Sequence, residues 1–264
     1  MSSRIAGRTI VEAFLPMSGK APLAPVYDTA HLLGTGDQPV RLAIRRMQAA
    51  GELTQSGRGR SGTLQLTDTG RGRIDRDRSA LALAFTQDAG RLQWDSSWSL
   101  YTVGAPERER AARDSLRRTL LASGAAALAT GTFLSPHDLR PLLDPAMGRY
   151  VISATARDLN IRGVTDPLAI AEELWPAGPI DAAYDVMDAA IKQDDPTAHS
   201  DVRRILLADA LEAALRNDPL IPLDLRHSPW RPTTLRRKWL ALWNDIAPSA
   251  AYSSWGTTVT VPAV

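Results

Sequence analysis

The stretch QPVRLAIRRMQAAGELTQSGRGRSGTLQLTDTGRGR, from Gln38 to Arg73, decides the fold of the first third of the chain. Its first half carries apolar residues at helical spacing and stops at Gly51, a residue type that favours the position after a helix C-terminus. Two short runs of strand-like residues follow at 53–56 and 63–67, joined by the glycine–arginine loop 57–62. The stretch therefore predicts a helix, with Asp37 as its N-cap, followed by a β-hairpin with a basic tip.

The predicted helix has two chemically different faces. The apolar face consists of Val40, Ala43, Ile44 and Met47. The opposite face carries Gln38, Arg41, Arg45 and Gln48, with Arg46 beside it. A helix-turn-helix packs an apolar face on neighbouring helices and inserts the opposite face into the major groove, which is ~12 Å wide. Arginine bridges two acceptors of guanine and glutamine bridges a donor and an acceptor of adenine, so we predict that Gln38, Arg41 and Arg45 read bases.

The tip of the predicted hairpin carries Arg58 and Arg60 between glycines, which let a backbone approach a ligand closely. We predict that Arg46, Arg58 and Arg60 contact phosphates or the minor groove and make binding dependent on salt. Short helices predicted at 8–15 and 25–33 precede the long one, separated by a Pro/Gly segment. Three helices followed by a hairpin indicate a winged helix-turn-helix. The competing interpretation is an ordinary solvated helix face and an ordinary turn.

Composition narrows the protein class. The chain has 264 residues, 44% of them hydrophobic, and no cysteine, which excludes disulfides and thiolate chemistry and fits a cytoplasmic protein, here expected at the nucleoid. It has no apolar run long enough to cross a bilayer, so we expect no membrane partner. Residues 1–92 hold 13 Lys and Arg against 8 Asp and Glu, whereas the remainder holds 18 against 21. A basic first third is typical of a protein that meets a polyanion with one end.

The rest of the chain divides into two further blocks. Alternating residues from 98 to 103, a helix beginning near Pro106, and further strands in ALATGTFLSP and RYVISATA give a β-α-β-(β)-α-β order. This order predicts an α+β sandwich of ferredoxin-like type. Residues after 166 show helical periodicity. The overall prediction is a multidomain α+β protein: a winged helix-turn-helix at 1–90, a ferredoxin-like domain at 91–165 and a helical domain at 166–264.

Catalytic and metal sites receive little support from the sequence. His31, His137, His199 and His227 do not stand at metal-ligand spacing. His137 and Asp138 follow Ser135 too closely to form a catalytic triad, and SPHDL is better explained as a helix start. Asp95 is an acidic residue without an evident partner for metal-dependent phosphodiester cleavage. We therefore predict no enzyme, no metal and no cofactor, and keep a nuclease of the middle domain as a remote alternative.

Four segments in order resemble the PaaX-type family of transcriptional repressors of phenylacetate degradation. They are VRLAIRRMQAAGELTQSGRGRSGTLQLTDTGRGR, QWDSSWSLYTVGAPERERAARDSLRRTLLASGAAALATGTFLSP, LWPAGPIDAAYDVM and NDPLIPLDLRHSPWRPTTLRRKWLALWNDIAP. The similarity is collinear over roughly Arg8 to Trp255. It implies a winged-helix DNA-binding domain, a middle dimerisation domain similar to a CRISPR-adaptation nuclease subunit, and a helical C-terminal domain. It also implies a homodimeric repressor that an aryl-acyl-CoA, such as phenylacetyl-CoA, releases from an operator on double-stranded DNA.

The resemblance leaves the effector open. Ser61, Gly62 and Thr63 stand where the family's wing carries aromatic residues, and Trp230-Arg231-Pro232 and Leu225-Arg226-His227 also depart from its pattern. These departures motivate the alternative of a regulator with the same fold, another pathway and a different ligand or none. A CoA ester would need basic residues for its phosphates and an apolar pocket for its aryl group. Arg203, Arg204, Arg236 and Arg237 are candidates for its phosphates, and Trp94, Trp98, Trp175, Trp230, Trp239, Trp243 and Trp255 are candidates for an aromatic pocket or, more simply, for the core.

Overall fold

The computed structural model describes residues 5–252 and is a mixed α+β structure with antiparallel sheets. The helices are α1 (Gly7–Glu12), α2 (Leu23–Leu32), α3 (Asp37–Ala49), α4 (Asp68–Asp88), α5 (Arg110–Ala122), α6 (Pro167–Leu174), α7 (Ala177–Ala183), α8 (Asp185–Lys192), α9 (Ser200–Leu215) and α10 (Arg231–Asp245). The strands are β1 (Ala21–Pro22), β2 (Leu53–Ser56), β3 (Thr63–Leu66), β4 (Trp98–Val103), β5 (Ala126–Ala129), β6 (Thr132–Ser135) and β7 (Val151–Ala156). None of the helices in this described range is long and apolar enough to span a bilayer.

The chain forms two compact units, each built from separate segments. The first unit contains residues 5–88, 184–214 and 233–252 of the described chain. The second contains residues 89–183 and 215–232. The helices after residue 166 are therefore divided between the two units: α8, α9 and most of α10 belong to the first, and α6 and α7 to the second.

In the first unit, α3 packs against α1 and α2. Val40, Ala43, Ile44 and Met47 are buried, as the apolar periodicity predicts. The start of α1 lies so close to α3 that a Cβ on Gly7 would stand 2.5 Å from the carbonyl oxygen of Pro39. Gly51 has φ +69° and ends the helix, because glycine enters the left-handed region at little cost.

A three-stranded antiparallel sheet with the order β1-β3-β2 follows α3 in the first unit. The sequence predicts β2 and β3, but it predicts no strand between the first two helices, where it indicates only a Pro/Gly segment. Ala21 and Pro22 pair with Leu64 and Thr63 of β3, so this segment adds a short edge strand. Two residues are too few to show a period of two, and proline is tolerated at a sheet edge, so no sequence signal marks this strand.

An ionic network ties α1, the residue before β2 and α4 together. Glu12, which is buried, accepts hydrogen bonds from Arg8 and Arg73, and Arg8 also pairs with Glu52. Burial raises the pKa of Glu12, while the two arginines favour its charged form. The network uses two of the arginines of the basic first third, Arg8 and Arg73, to stabilise the fold.

A buried ion pair joins the end of α4 to α10. Arg236 is 1% exposed and donates from Nε to Oδ2 of Asp88 at 2.6 Å, and from Nη2 to Oδ1 at 2.7 Å. The Thr233 hydroxyl donates to the same carboxylate at 2.7 Å, and the phenol of Tyr184 accepts from Arg236. Both charges are therefore compensated in a part of the core that excludes water.

The second unit contains a four-stranded antiparallel sheet with the order β5-β6-β4-β7. One face packs against α5, where Leu116 and Leu120 meet Tyr101, Val103 and Phe133. The sequence also predicted an α-helix after SPHDL, which is wrong. The segment forms two short 3₁₀ turns, Arg140–Leu142 and Pro145–Tyr150. A single α-helix is excluded because Pro145 would fall inside a helix that continued from Arg140, where it has no N–H to donate and its ring clashes with the preceding turn.

The buried pair Asp88–Arg236 yields a stability prediction. Asp88→Ala leaves the guanidinium of Arg236 buried without its counter-charge, so the free energy of unfolding should fall by about 3–5 kcal/mol in urea titration. The control is Asp75→Ala on the same helix, whose exposed carboxylate lies 3.7 Å from Arg78 and should change stability by less than about 0.5 kcal/mol. Equal effects of the two substitutions would contradict this assignment.

Candidate nucleic-acid interface

All six residues that the sequence predicts to contact DNA lie at the surface of the first unit. Gln38, Arg41, Arg45 and Arg46 are exposed on α3, and Arg58 and Arg60 are exposed at the tip of the β2–β3 hairpin. The four helical residues lie opposite the buried residues of α3. The exposed face of the helix is therefore basic and rich in donors, and the hairpin adds two guanidinium groups.

Arg41 is held in place by an acidic neighbour on its own helix. Its Nη2 donates to Oδ2 of Asp37 at 2.7 Å, one helical turn earlier. The other carboxylate oxygen, Oδ1, lies 2.8 Å from Nε2 of His31 near the end of α2. The hydrogen bond with His31, together with the Arg41 charge, lowers the pKa of Asp37. Asp37 thus connects the side chains of His31 and Arg41. The prediction that Asp37 is the N-cap of α3 is wrong, because Gly36 occupies the N-cap position and makes no side-chain hydrogen bond there.

The hairpin tip is also tied to the helices. Arg60 forms an ion pair with Asp28 of α2, and the backbone N–H of Leu23 donates to the carbonyl of Gly62 at 2.9 Å. By contrast, the guanidinium groups of Arg45, Arg46 and Arg58 have no ion-pair or hydrogen-bond partner among residues 5–252. Three of the five arginines at the candidate interface are therefore available for phosphate or base contacts without first leaving an acidic partner.

Asp28, His31 and Asp37 also belong to this surface, which the sequence does not predict. The spacing of Asp37 and Arg41, four apart with the acid first, is a sequence signal for an ion pair on a helix. His31 and Asp28 lie on α2, and only the packing of α2 beside α3 and the hairpin brings them to the arginines. No spacing within the sequence predicts those two contacts.

The four arginines considered for the phosphates of a CoA ester are engaged elsewhere. Arg203 donates to both oxygens of Asp194, and Arg204 is buried and donates to the carbonyl of Ile246 at 2.7 Å. Arg237 donates to the backbone carbonyl of Asp88, and Arg236 is the buried partner of the same residue. These groups stabilise the fold and do not form an anion-binding surface.

Most tryptophans pack in two aromatic clusters, one in each unit. In the first unit the rings of Trp239 and Trp243 stack at 4.8 Å, and Phe85 stacks on Trp239 at 6.0 Å. In the second unit Trp98 stacks on Trp175 at 6.2 Å. Trp94 joins this second cluster, with its ring 5.0 Å from that of Trp98. Trp230 is half-buried, and Trp255 lies outside the described residues. The clusters are core packing, which agrees with the simpler of the two interpretations of the sequence.

Titratable groups of the second unit gather around Tyr101. Its hydroxyl accepts the backbone N–H of Leu139 at 2.7 Å and donates to Oδ1 of Asp138 at 3.3 Å. Arg140 binds both oxygens of Asp138, and this hydrogen bonding lowers the pKa of the carboxyl group to about 2. Burial lowers the pKa of His137, whose Nε2 lies 2.8 Å from the carbonyl of Leu220. These contacts fix the loop that follows β6.

Asp95 accepts both the N–H and the hydroxyl of Ser97 on a single oxygen, at 3.0 and 2.5 Å. Within residues 5–252, no group of three His, Asp or Glu side chains is arranged to hold a metal ion.

Two comparisons with known proteins are informative. Residues 91–165 match the family described as the PaaX protein central Cas2-like domain, which confirms the predicted resemblance to the PaaX-type family. An uncharacterized protein from Mycobacterium tuberculosis, Rv0674, has a similar structure, with a TM-score of 0.57 and 21% identity over 92% of this chain and 96% of that one. At this identity the likeness concerns the fold alone. No curated protein sequence matches the chain.

The Arg140–Asp138 pair predicts a dependence of stability on pH. Because the pKa of Asp138 is about 2 in the folded state and higher in the unfolded chain, the pair stabilises the fold above the unfolded pKa, and this contribution is lost as the pH falls through about 2. Thermal melting of wild type and Asp138→Asn should therefore differ near neutral pH and converge towards about pH 2. A difference that is unchanged or larger in acid would contradict it.

Proposed function

We propose that this protein, which carries a PaaX central domain, is a homodimeric transcriptional repressor that binds an operator through a winged helix-turn-helix in its first unit. The single observation that carries the proposal is the basic, exposed face of α3 above a buried apolar face, next to a hairpin with arginines at its tip. This arrangement supplies base-reading side chains and phosphate-binding side chains on one unit.

The topology of the first unit supports a winged helix. Three helices are followed by a hairpin, and a short strand between α1 and α2 pairs with the second strand of that hairpin. The order β1-β3-β2 holds the hairpin beside the start of α2, so the wing has a fixed base. A helix held in this way can enter the major groove while the wing lies along the flanking backbone.

The division of labour within the interface follows from the side-chain chemistry. Gln38, Arg41 and Arg45 would read base edges, where Arg matches guanine and Gln matches adenine. Arg46, Arg58 and Arg60 would hold phosphates or the minor groove, which orients the protein without reading sequence. Arg60 would exchange Asp28 for a phosphate when DNA binds.

Asp37 has a positioning role in this proposal. Its two oxygens connect His31 and Arg41, so the guanidinium of Arg41 is restrained before any base is met. A restrained donor loses less conformational entropy on binding than a free one. The carboxylate also repels phosphates, so it weakens binding to DNA that offers no matching base.

The second unit supports a ferredoxin-like domain and a dimer. The strand order β5-β6-β4-β7, with α5 between β4 and β5, corresponds to the β-α-β-β-β part of that fold. β7 is an edge strand, and Ile152 on it is 71% exposed, so the strand offers unpaired backbone groups and an apolar side chain to a second copy. Two copies would present two winged helices to a palindromic site.

An aryl-acyl-CoA, such as phenylacetyl-CoA, is the effector that the family resemblance implies. An effector that binds one conformation of the dimer better than another would change the spacing of the two winged helices and release the operator. A regulator with the same fold and a different ligand is the second candidate. It is favoured by one observation: the four arginines considered for the CoA phosphates all have protein partners.

The roles of helix and wing are tested by separate substitutions on a duplex that the protein selects from a random pool. Arg45→Ala should weaken binding to this duplex by about 1–3 kcal/mol and relax base preference at one position, whereas Arg58→Ala should weaken all duplexes alike and lower the salt slope by about one. Arg117→Ala, an exposed arginine of the second unit, is the control. Identical behaviour of Arg45→Ala and Arg58→Ala, measured by fluorescence anisotropy, would contradict the assignment.

The anchoring role of Asp37 predicts opposite changes for two kinds of DNA. Asp37→Asn removes the charge that restrains Arg41, so affinity for the selected duplex should fall about two- to fivefold relative to wild type. Affinity for scrambled DNA should rise, because a negative charge has left the interface. If both affinities move in the same direction, Asp37 does not position Arg41.

A further inference from the structure

One face of the sheet in the second unit changes its chemistry along its length. The face is apolar where α5 covers it. The sheet residues of this part are Tyr101, Val103 and Phe133, and they pack against Leu116 and Leu120 of α5. Beyond this core the same face carries Ser99, Ser153 and Thr155, because Ser99 stands opposite Thr155 and Tyr101 opposite Ser153 in the register. Hydroxyl groups at such positions do not extend a dry core, since each needs a hydrogen-bond partner.

A cleft of about 500 Å³ lies over these hydroxyls, wholly within the second unit. One wall is formed by residues 92–95 and Ser97, and another by residues 136–138 and Arg140 after β6. Ala154, Arg157 and Pro222 complete the lining. The volume is that of a small-molecule site and is far below what a protein or nucleic-acid partner needs.

The walls of the cleft are fixed before any ligand arrives. The N–H of Trp94 donates to Oδ2 of Asp224 at 2.8 Å, and its indole N–H donates to the carbonyl of Ser97 at 2.8 Å. Ser96 has φ +60°, a strained conformation for a residue other than glycine. On the other side, the hydrogen bonds of Tyr101 and His137 hold the loop after β6. A strained residue in a tightly held wall is typical of a binding site.

Several polar groups in the cleft lack a protein partner. The side chains of Gln93, Ser153, Thr155 and Arg157 line it, are exposed to solvent, and make no hydrogen bond or ion pair with any residue in the part of the chain that the structure describes. These groups offer both donors and acceptors over a short span. A ligand with several hydroxyl groups would satisfy them in a way that an apolar ligand cannot.

The charges that line the cleft cancel. Asp138 and Arg140 form a bidentate pair, and Arg157 acts on Asp95 through space and favours its charged form. His137 is buried, which lowers its pKa and favours the neutral imidazole. A multiply negative ligand such as a CoA ester would meet two carboxylates here and no surplus of positive charge.

We propose that this cleft binds an uncharged, polyhydroxylated small molecule of the size of a mono- or disaccharide. Planar carboxylates and guanidinium groups match pairs of adjacent hydroxyls, the serine and threonine hydroxyls form the floor, and Leu92, Trp94 and Pro222 supply apolar contact. The proposal concerns binding alone and does not rest on DNA recognition.

The test uses the full chain and saturation-transfer NMR with a panel of neutral sugars and polyols: glucose, galactose, trehalose, sucrose and inositol. Phenylacetate and phenylacetyl-CoA form the charged arm of the same panel. Thr155→Val removes one floor hydroxyl at constant shape, and Arg157→Gln removes a donor at the rim. Thr102→Val is the matched control, because Thr102 is exposed on β4 and does not line the cleft.

At least one neutral sugar or polyol should bind, and Thr155→Val and Arg157→Gln should each weaken it about three- to tenfold, while Thr102→Val leaves it unchanged. Binding of no neutral member overturns the proposal. Equal losses in Thr155→Val and Thr102→Val also overturn it, because they would place the ligand elsewhere. If only the charged arm binds and depends on Thr155, the cleft is a site but the ligand class is wrong.

Discussion

The burial of one face of α3 is the constraint on which the rest of the first unit depends. Val40, Ile44 and Met47 fix the rotation of the helix, and that rotation alone decides which residues face water. Gly51 then ends the helix in a conformation that sends the chain directly into β2. The ionic network around Glu12 joins α1 to α4. The exposed arginines of α3 follow as a consequence of packing.

Acidic partners divide the arginines of this protein into two groups. Arg8, Arg73 and Arg236 are paired with carboxylates in buried or half-buried networks. They therefore contribute to stability and not to the positive potential at the surface. The side chains of Arg45 and Arg58 have no acidic partner within residues 5–252 and contribute fully to the positive potential around α3 and the hairpin. A count of charges along the sequence therefore overstates the positive charge that a polyanion would meet. The count does place that charge correctly, in the first third of the chain.

Periodicity and the glycine signals were enough to predict α3 and the hairpin of the first unit. The apolar spacing of α3 and the glycines of the hairpin are local features, and the structure has both where they were expected. β1 was missed because two residues carry no period, and the helix expected after SPHDL was wrong because prolines limit it to 3₁₀ turns. The link from Asp37 to His31 and the cleft over Ser153 and Thr155 depend on packing between distant segments, which a single sequence does not encode locally.

DNA recognition by α3 and the hairpin is tested most directly by fluorescence anisotropy of the full chain on a selected duplex and on a scrambled duplex of equal composition, across a salt series. If the winged helix reads bases, the protein should prefer the selected duplex by about 10³-fold or more. For both duplexes, the logarithm of the affinity should fall linearly with the logarithm of the salt concentration. Equal affinity for the two duplexes at every salt concentration would show that the exposed face of α3 does not read bases.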